Sequence, residues 1–531
     1  MKSYTTPILA LTLIATGSAA AFGERRAAAD GSFEGSWESL SAYEVPEWFR
    51  DAKFGIWAHW GPQCQPEHGD WYARGMYEEG SHHYNYHCEH YGHPSEFGFM
   101  DVINEWKAEN WDPRKLMELY KRTGARYFMA MGNHHDNLDL WNSPYHNWNS
   151  VNVGPKRDIL GEWKAAAEEL GLPFCVSIHS AHAWPWYETA QGADRKGPKA
   201  GVSYDARVLT KEDGKGKWWE GLDPQELYVQ HHSLSNPEGH FWDWPEGTSR
   251  PMQEYLDDFF NRTTQMIDDY QPDMIYFDDS WAPFWPIDST GLDVIAHFYN
   301  RSAAKNGGRP QVVVTGKKLE PKHAEAIVWD VEKGVLDKPQ DIPWQTCTCL
   351  GNWHYDRSCY VDNWYKSAPT VINMLVDIVS KNGNMLLSVP VRGDGTIDDK
   401  EEAILADIAA WLKVNGEGIF GTRPWRVFGE GPSTLATNPL DGPGFNEGRK
   451  EPYTAADIRY TTKDGKVYAH AMTWPEDGRL TLTALAGDDV KSVHLLGGGK
   501  ARWRNTPEGL VVTLPRGKRP NAISPTLKIE L

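Results

Sequence analysis

The stretch PMQEYLDDFFNRTTQMIDDYQPDMIYFDDSW, residues 251–281, contains a change of period. Met252, Tyr255, Leu256, Phe259, Phe260, Met266, Ile267 and Tyr270 keep helical spacing, which predicts an amphipathic helix. Pro272 stops it, and the apolar run that follows at once reads as a strand. Side chains alternate along a strand, so Tyr276 and Asp278 share one face while Ile275, Phe277 and Asp279 share the other. Asp278 falls at the strand's C-terminal end with Tyr276 beneath it. Asp279 reads as a loop or helix cap, and Asp273, at the strand's start, as structural.

Six more apolar runs end in a similar way, at 54–59, 127–134, 174–179, 312–315, 326–330 and 385–389. Helical patterns lie between many of them, and Asp112 can cap a helix over 113–122. Strand–helix alternation across about 380 residues predicts an α/β fold with a parallel sheet, and its length favours a (β/α)8-like barrel. The barrel domain is assigned to 35–424. Beyond it, DIRYTTKDGKVYAHAMTW holds two strand-like runs around Asp464-Gly465, and RLTLTAL alternates strictly. A C-terminal β-sandwich is expected over 425–531.

The formal net charge of −19 argues against a nucleic-acid partner. Lys2, an apolar run and an A-x-A pattern at 19–21 predict a signal peptide over 1–21, and so a secreted or periplasmic protein. No later segment approaches the roughly 20 apolar residues of a membrane span, so no membrane partner is expected. The six cysteines read as structural thiols, because Cys347-Thr348-Cys349 is too closely spaced for a zinc knuckle. The 26 tryptophans suggest exposed aromatic platforms, on which the flat C–H faces of sugars stack.

Barrel active sites lie at the C-terminal strand ends. His59, His134, His135, Asp278 and Asp330 all fall at such ends and can face one pocket. A carboxylate there serves as nucleophile or metal ligand, and Asp330 or Glu332, in IVWDVEKG, can supply a second. Two carboxyls about 5–5.5 Å apart suit retaining glycoside hydrolysis, with imidazoles holding sugar hydroxyls. A metal-dependent hydrolase using His134, His135 and Asp278 is one rival. It is weakened because neighbours on a strand point to opposite faces and no HExxH is present. A non-catalytic sugar-binding barrel is another.

Longer motifs narrow the reading. WFRDAKFGIWAHWGPQ resembles the pattern near KFGIFIHWG of α-L-fucosidases of glycoside hydrolase family 29, and NHHDNLDLW resembles their KHHDGFxLW. PDMIYFDDSW is similar to PDLIWxDGxW, PWQTCTCLGNWHY to PWExCxTIxxSWGY, and the run ending GEGIFGT to the family's late barrel. The matches span about residues 45 to 425. The resemblance implies a barrel, often with a C-terminal β-sandwich, no cofactor or metal, and a fucose-containing carbohydrate substrate. The expected activity is exo-acting, retaining release of fucose, with an endo-acting fucan hydrolase, whose acid/base is a histidine, as the alternative.

By the same resemblance Asp278 is the nucleophile. The acid/base lies thirteen residues ahead of the Glu of PWExC in members that align, and counting back from Gln345 gives Glu332. His59, His134, His135, Asp70, Trp71, Tyr276 and Lys317 are then substrate-binding. Departures are Asn133 for Lys, Asn137 for Gly, Gln345 for Glu, Asp70 for Glu and Lys317 for Arg. At the third strand end, VSIHSAH lacks the expected Tyr, leaving His179 or His182 to substitute.

Overall fold

The computed structural model describes residues 24–531 apart from 230–231, 237–243, 245–246, 436, 438–439, 441–443, 449–450, 516 and 518. The expected signal peptide lies outside the described residues. Eight parallel strands close into a barrel: β1 (Phe54–Ala58), β2 (Phe128–Asn133), β3 (Phe174–Ile178), β4 (Met274–Ser280), β5 (Val313–Lys317), β6 (Val328–Glu332), β7 (Trp344–Cys349) and β8 (Gly383–Ser388). Phe54 of β1 pairs with Met385 of β8, which closes the ring. Seven strands coincide with the apolar runs. The exception is β7, whose Gln, Thr and Cys side chains hide it from a hydrophobicity reading.

Helices α1 (Pro113–Thr123), α2 (Ile159–Glu169), α3 (Gln253–Tyr270), α4 (Thr290–Lys305), α5 (Ala368–Ser380) and α6 (Asp399–Asn415) lie outside the strands. Asp112 caps α1, accepting from Lys115 N–H at 3.0 Å. α3 ends on a left-handed Gln271 just before Pro272. Asp273 is structural as expected: its carboxylate accepts from Phe174 N–H at 2.9 Å and ties the start of β4 to that of β3. Asp279 is not a cap. It is buried on β4, with His182 Nε2 3.1 Å from its carboxylate.

One apolar layer lies between strands and helices. A second fills the barrel with Trp57, Tyr127, Met129, Met274, Tyr276, Val313 and Leu386, and forms the floor under the strand ends. Each large apolar side chain so buried stabilises the fold by about 1.5–3 kcal/mol. Many tryptophans are core rather than platforms, because their N–H groups find carbonyls: Trp60 on Arg392, Trp106 on Gly393, Trp344 on Lys381. Trp71, Trp218 and Trp364 are well exposed. All six cysteines are free thiols. Among the described residues no helix is long and apolar enough to cross a membrane.

The C-terminal region is a sandwich of antiparallel sheets. Its strands are β9 (Arg423–Glu430), β10 (Ile458–Lys463), β11 (Lys466–Ala471), β12 (Arg479–Leu482), β13 (Ser492–Leu495), β14 (Gly499–Lys500), β15 (Arg502–Thr506), β16 (Gly509–Thr513) and β17 (Thr526–Glu530). The order is β14-β13-β17-β11-β10-β9 in one sheet and β12-β16-β15 in the other. Ile458, Val467, Leu480, Leu482, Leu510, Val512 and Ile529 share one core between them.

Candidate active site

The C-terminal strand ends surround a cavity of about 320 Å³, within the range of small-molecule sites. Its walls include His59, Asp70, Trp71, His134, Tyr276, Asp278, Lys317 and Glu332, so eight of the nine residues expected from sequence meet in one place. The ninth, His135, is fully buried behind Asp278 and contacts the carboxylate rather than the open cavity. A larger cavity, about 810 Å³, lies between α5 and the sandwich. Its Asp377 carboxylate is bound by Lys381 and Arg459.

Asp278 and Glu332 are joined by one cation. Lys317 Nζ, at the end of β5, bonds both carboxylates. Burial by itself would raise the Asp278 carboxyl. The Lys317 ammonium, helped by His135 and His179, outweighs it and holds the group well below the usual carboxylate range. Burial likewise pulls Lys317 toward neutrality, but the two carboxylates keep it charged well past its ordinary value. Glu332 is the last residue of β6 rather than part of a loop beyond it, so a strand holds it.

Asp330, two residues earlier on β6, does not reach the cavity. It is fully buried and accepts from Gln345 Nε2 at 2.8 Å and Tyr276 O–H at 3.3 Å. Burial pushes its carboxyl up to about 6 against the bonds from Cys347 and Gln345. Tyr276 therefore presents its ring to the cavity, with its hydroxyl engaged below. Gln345 also accepts from Tyr127 O–H at 3.0 Å and lies in the same inner network.

The two adjacent histidines lie past the end of β2, so strand alternation does not separate them, and their ring centroids are 4.4 Å apart. His135 Nδ1 faces the His179 carbonyl at 2.8 Å, and Nε2 faces Asp278 at 3.2 Å. Burial pushes this imidazole down to about 4, so at neutral pH it carries one proton, for which carbonyl and carboxylate compete. Asn133 accepts from the N–H groups of His179 and Ser180 at 3.1 and 3.2 Å, which seats His179 beside Asp278. Of the two histidines that could substitute for the family's Tyr, His179 lies beside Asp278, while His182 turns away to Asp279. Asn137 takes a left-handed backbone, φ 62°, as the family's Gly would. Buried Arg262 on α3 bonds Asp139 and Asn137 and fixes this loop.

Among the described residues two triads of imidazoles lie close enough to hold an ion, His59–His134–His354 and His134–His135–His179. Both need His134, and its tautomer is set from behind. Gln63 accepts from Ala73 N–H at 3.3 Å and donates to Asp136 at 3.1 Å, which orients its amide. The same Nε2 then donates to His134 Nδ1 at 2.7 Å and leaves the ring proton on the other nitrogen. A metal ligand needs a lone pair there; a sugar hydroxyl accepts from an N–H.

Sequence reasoning missed Trp57, Trp353, His354 and Phe445. Trp57 was findable, since it shares a strand face with His59. His354 was visible too, as the His of GNWHY where the resembled motif has Gly. It is buried, its ring 4.7 Å from that of His59, and neither of its nitrogens makes a hydrogen bond to the protein. Asp70 accepts from the N–H groups of Trp353 and His354 at 3.2 and 2.6 Å, so it shapes this wall as well as lining it. Phe445 comes from the other domain and has no local signal.

Comparison with known proteins identifies the family. The chain is 28% identical over 500 residues to the tissue alpha-L-fucosidase of Rattus norvegicus, covering 90% of this chain and 88% of the relative. It is 27% identical over 527 residues to the tissue alpha-L-fucosidase of Homo sapiens, with 96% and 93% covered. The crystal structure of Thermotoga maritima alpha-fucosidase superposes with a TM-score of 0.67 at 25% identity, covering 93% of this chain and 99% of that one. The family model for alpha-L-fucosidase matches residues 20–417, and that for the alpha-L-fucosidase C-terminal domain matches 451–530. With these models matching the barrel and the sandwich in turn, this chain belongs to the alpha-L-fucosidase family.

Proposed function

We propose that this chain is an exo-acting, retaining α-L-fucosidase. Asp278 attacks the anomeric carbon as the bond to the leaving oxygen breaks, and Glu332 protonates that oxygen. Glu332 then takes a proton from water, which displaces Asp278 and regenerates the carboxylate. The observation that carries this reading is the Lys317 bridge. An ammonium bonded to both carboxylates keeps their nearer oxygens within two hydrogen-bond lengths. That supports the about 5–5.5 Å spacing of retaining enzymes and falls short of the roughly 6.5–9.5 Å gap of inverting ones. A cavity of about 320 Å³ walled by rings supports uptake of one terminal sugar rather than passage of a chain. Imidazoles of His59, His134, His179 and His354 offer its hydroxyls partners.

The test is stereochemical. Proton NMR of aryl α-L-fucoside hydrolysis, read before mutarotation, is expected to show α-L-fucose first. The β anomer first would mean inversion, and no fucose at all would end the activity reading.

Lys317 gives a pH prediction. Its charge opposes burial at Asp278, so without it burial dominates and the nucleophile takes up a proton at higher pH. Lys317→Met is therefore expected to move the acid limb of the kcat/KM profile toward neutrality, in addition to lowering its plateau. An acid limb that stays in place would separate Lys317 from the nucleophile's ionisation.

A further inference from the structure

Within the connection between β9 and β10, residues 444–447 lie at the barrel mouth. Gly444 bridges Glu332 in parallel, Phe445 N–H donates to the Glu332 carbonyl at 2.7 Å, and Glu447 N–H to that of Lys333 at 2.9 Å. Asn446 bonds both backbone groups of Val335, at 2.8 and 3.0 Å. Glu447 accepts from Thr348 O–H at 2.6 Å and pairs with Lys366 at 2.8 Å. Four residues of the second domain thus run on beside the end of β6. Gly444 is required there, because a Cβ would meet the Glu332 carbonyl at 1.9 Å.

The seam engages the side chains of Asn446 and Glu447, but not that of Phe445. Phe445 is 60% exposed and lines the same cavity as Asp278 and Glu332. Its φ of 65° is left-handed, a region that bulky side chains seldom occupy. Such conformations persist where the surroundings impose them, and they collect at ligand sites.

Chemistry gives the ring a side of the substrate. An acid/base stands next to the glycosidic oxygen, so a ring carried on the backbone of Glu332 lies toward the leaving group. We propose that Phe445 is the stacking wall of a leaving-group subsite, taking a sugar by its apolar C–H face, and that the enzyme prefers fucose joined to another sugar. This rests on Glu332 as acid/base in the proposed fucosidase reaction. The second domain then contributes to specificity as well as to the fold.

The experiment compares Phe445→Ala with the unaltered full chain on two substrates. Fucosyl fluoride has a single atom as leaving group; a fucosylated disaccharide has a sugar. The expected result is a drop in kcat/KM on the order of 10-fold on the disaccharide and less than about 2-fold on the fluoride, with Phe445→Tyr restoring the former. Equal loss on both substrates would make the residue part of the seam only and overturn the proposal, as would no loss on either. Failure of the unaltered chain on both substrates would instead overturn the activity reading itself.

Discussion

Asp278→Asn is expected to lose turnover by a factor on the order of 10⁴ or more, while its melting temperature changes little. The amide keeps the shape and the bonds to the neighbouring imidazoles but cannot form the glycosyl-enzyme. Stability should hold because the amide fills the same space and Lys317 keeps Glu332 as its ionic partner. Asp278→Ala opens a small space beside Lys317, and azide is expected to enter it and restore turnover with inverted stereochemistry. Near-normal turnover of the Asn variant would show that a different group attacks the sugar.

Glu332→Ala is expected to act according to the leaving group. A poor leaving group needs the proton, so loss on a fucosyl-oligosaccharide should be on the order of 10²–10⁴. An aryl fucoside with an acidic phenol needs none and should form the glycosyl-enzyme almost unimpaired, leaving deglycosylation slow and a burst of phenol visible. The geometry adds a condition that the motif did not contain. Lys317 lies between Asp278 and Glu332 and bonds both carboxylates. The acid role therefore requires the glycosidic oxygen to take the place of Lys317 at Glu332, with Lys317 remaining on Asp278. Equal losses on good and poor leaving groups would remove Glu332 from the acid/base role and direct the search to the pocket histidines.

Strand–helix alternation, the hairpin at Asp464-Gly465 and the polar ends of apolar runs were all legible as local pattern. Burial forces periodicity on any chain that folds in layers, so seven barrel strands and the sandwich were visible before any contact was known. β7 was not, because a strand that builds a polar network inside the barrel has no apolar signature. Asp278 of PDMIYFDDSW was assigned to the mouth from alternation and its place at a strand's C-terminal end, and the structure places it there.

What a residue is near belongs to the tertiary structure. Asp330 and Glu332 have the same local credentials as a second acid, yet two residues along β6 carry one into the barrel's interior and the other to the cavity. His134 and His135 are adjacent in sequence, but the chain leaves β2 before them, so one lines the cavity and the other stands behind Asp278. Lys317 is fifteen positions from Glu332 and thirty-nine from Asp278, and only closure of the barrel makes it their common partner. Phe445 arrives from another domain altogether. Sequence alone therefore determined which elements form and which side chains stand at strand ends, since those follow from the period of burial. Which of these groups share a proton, a cation or a substrate was decided by contacts between distant segments, whose energies depend on separations of a few ångströms that no local pattern encodes.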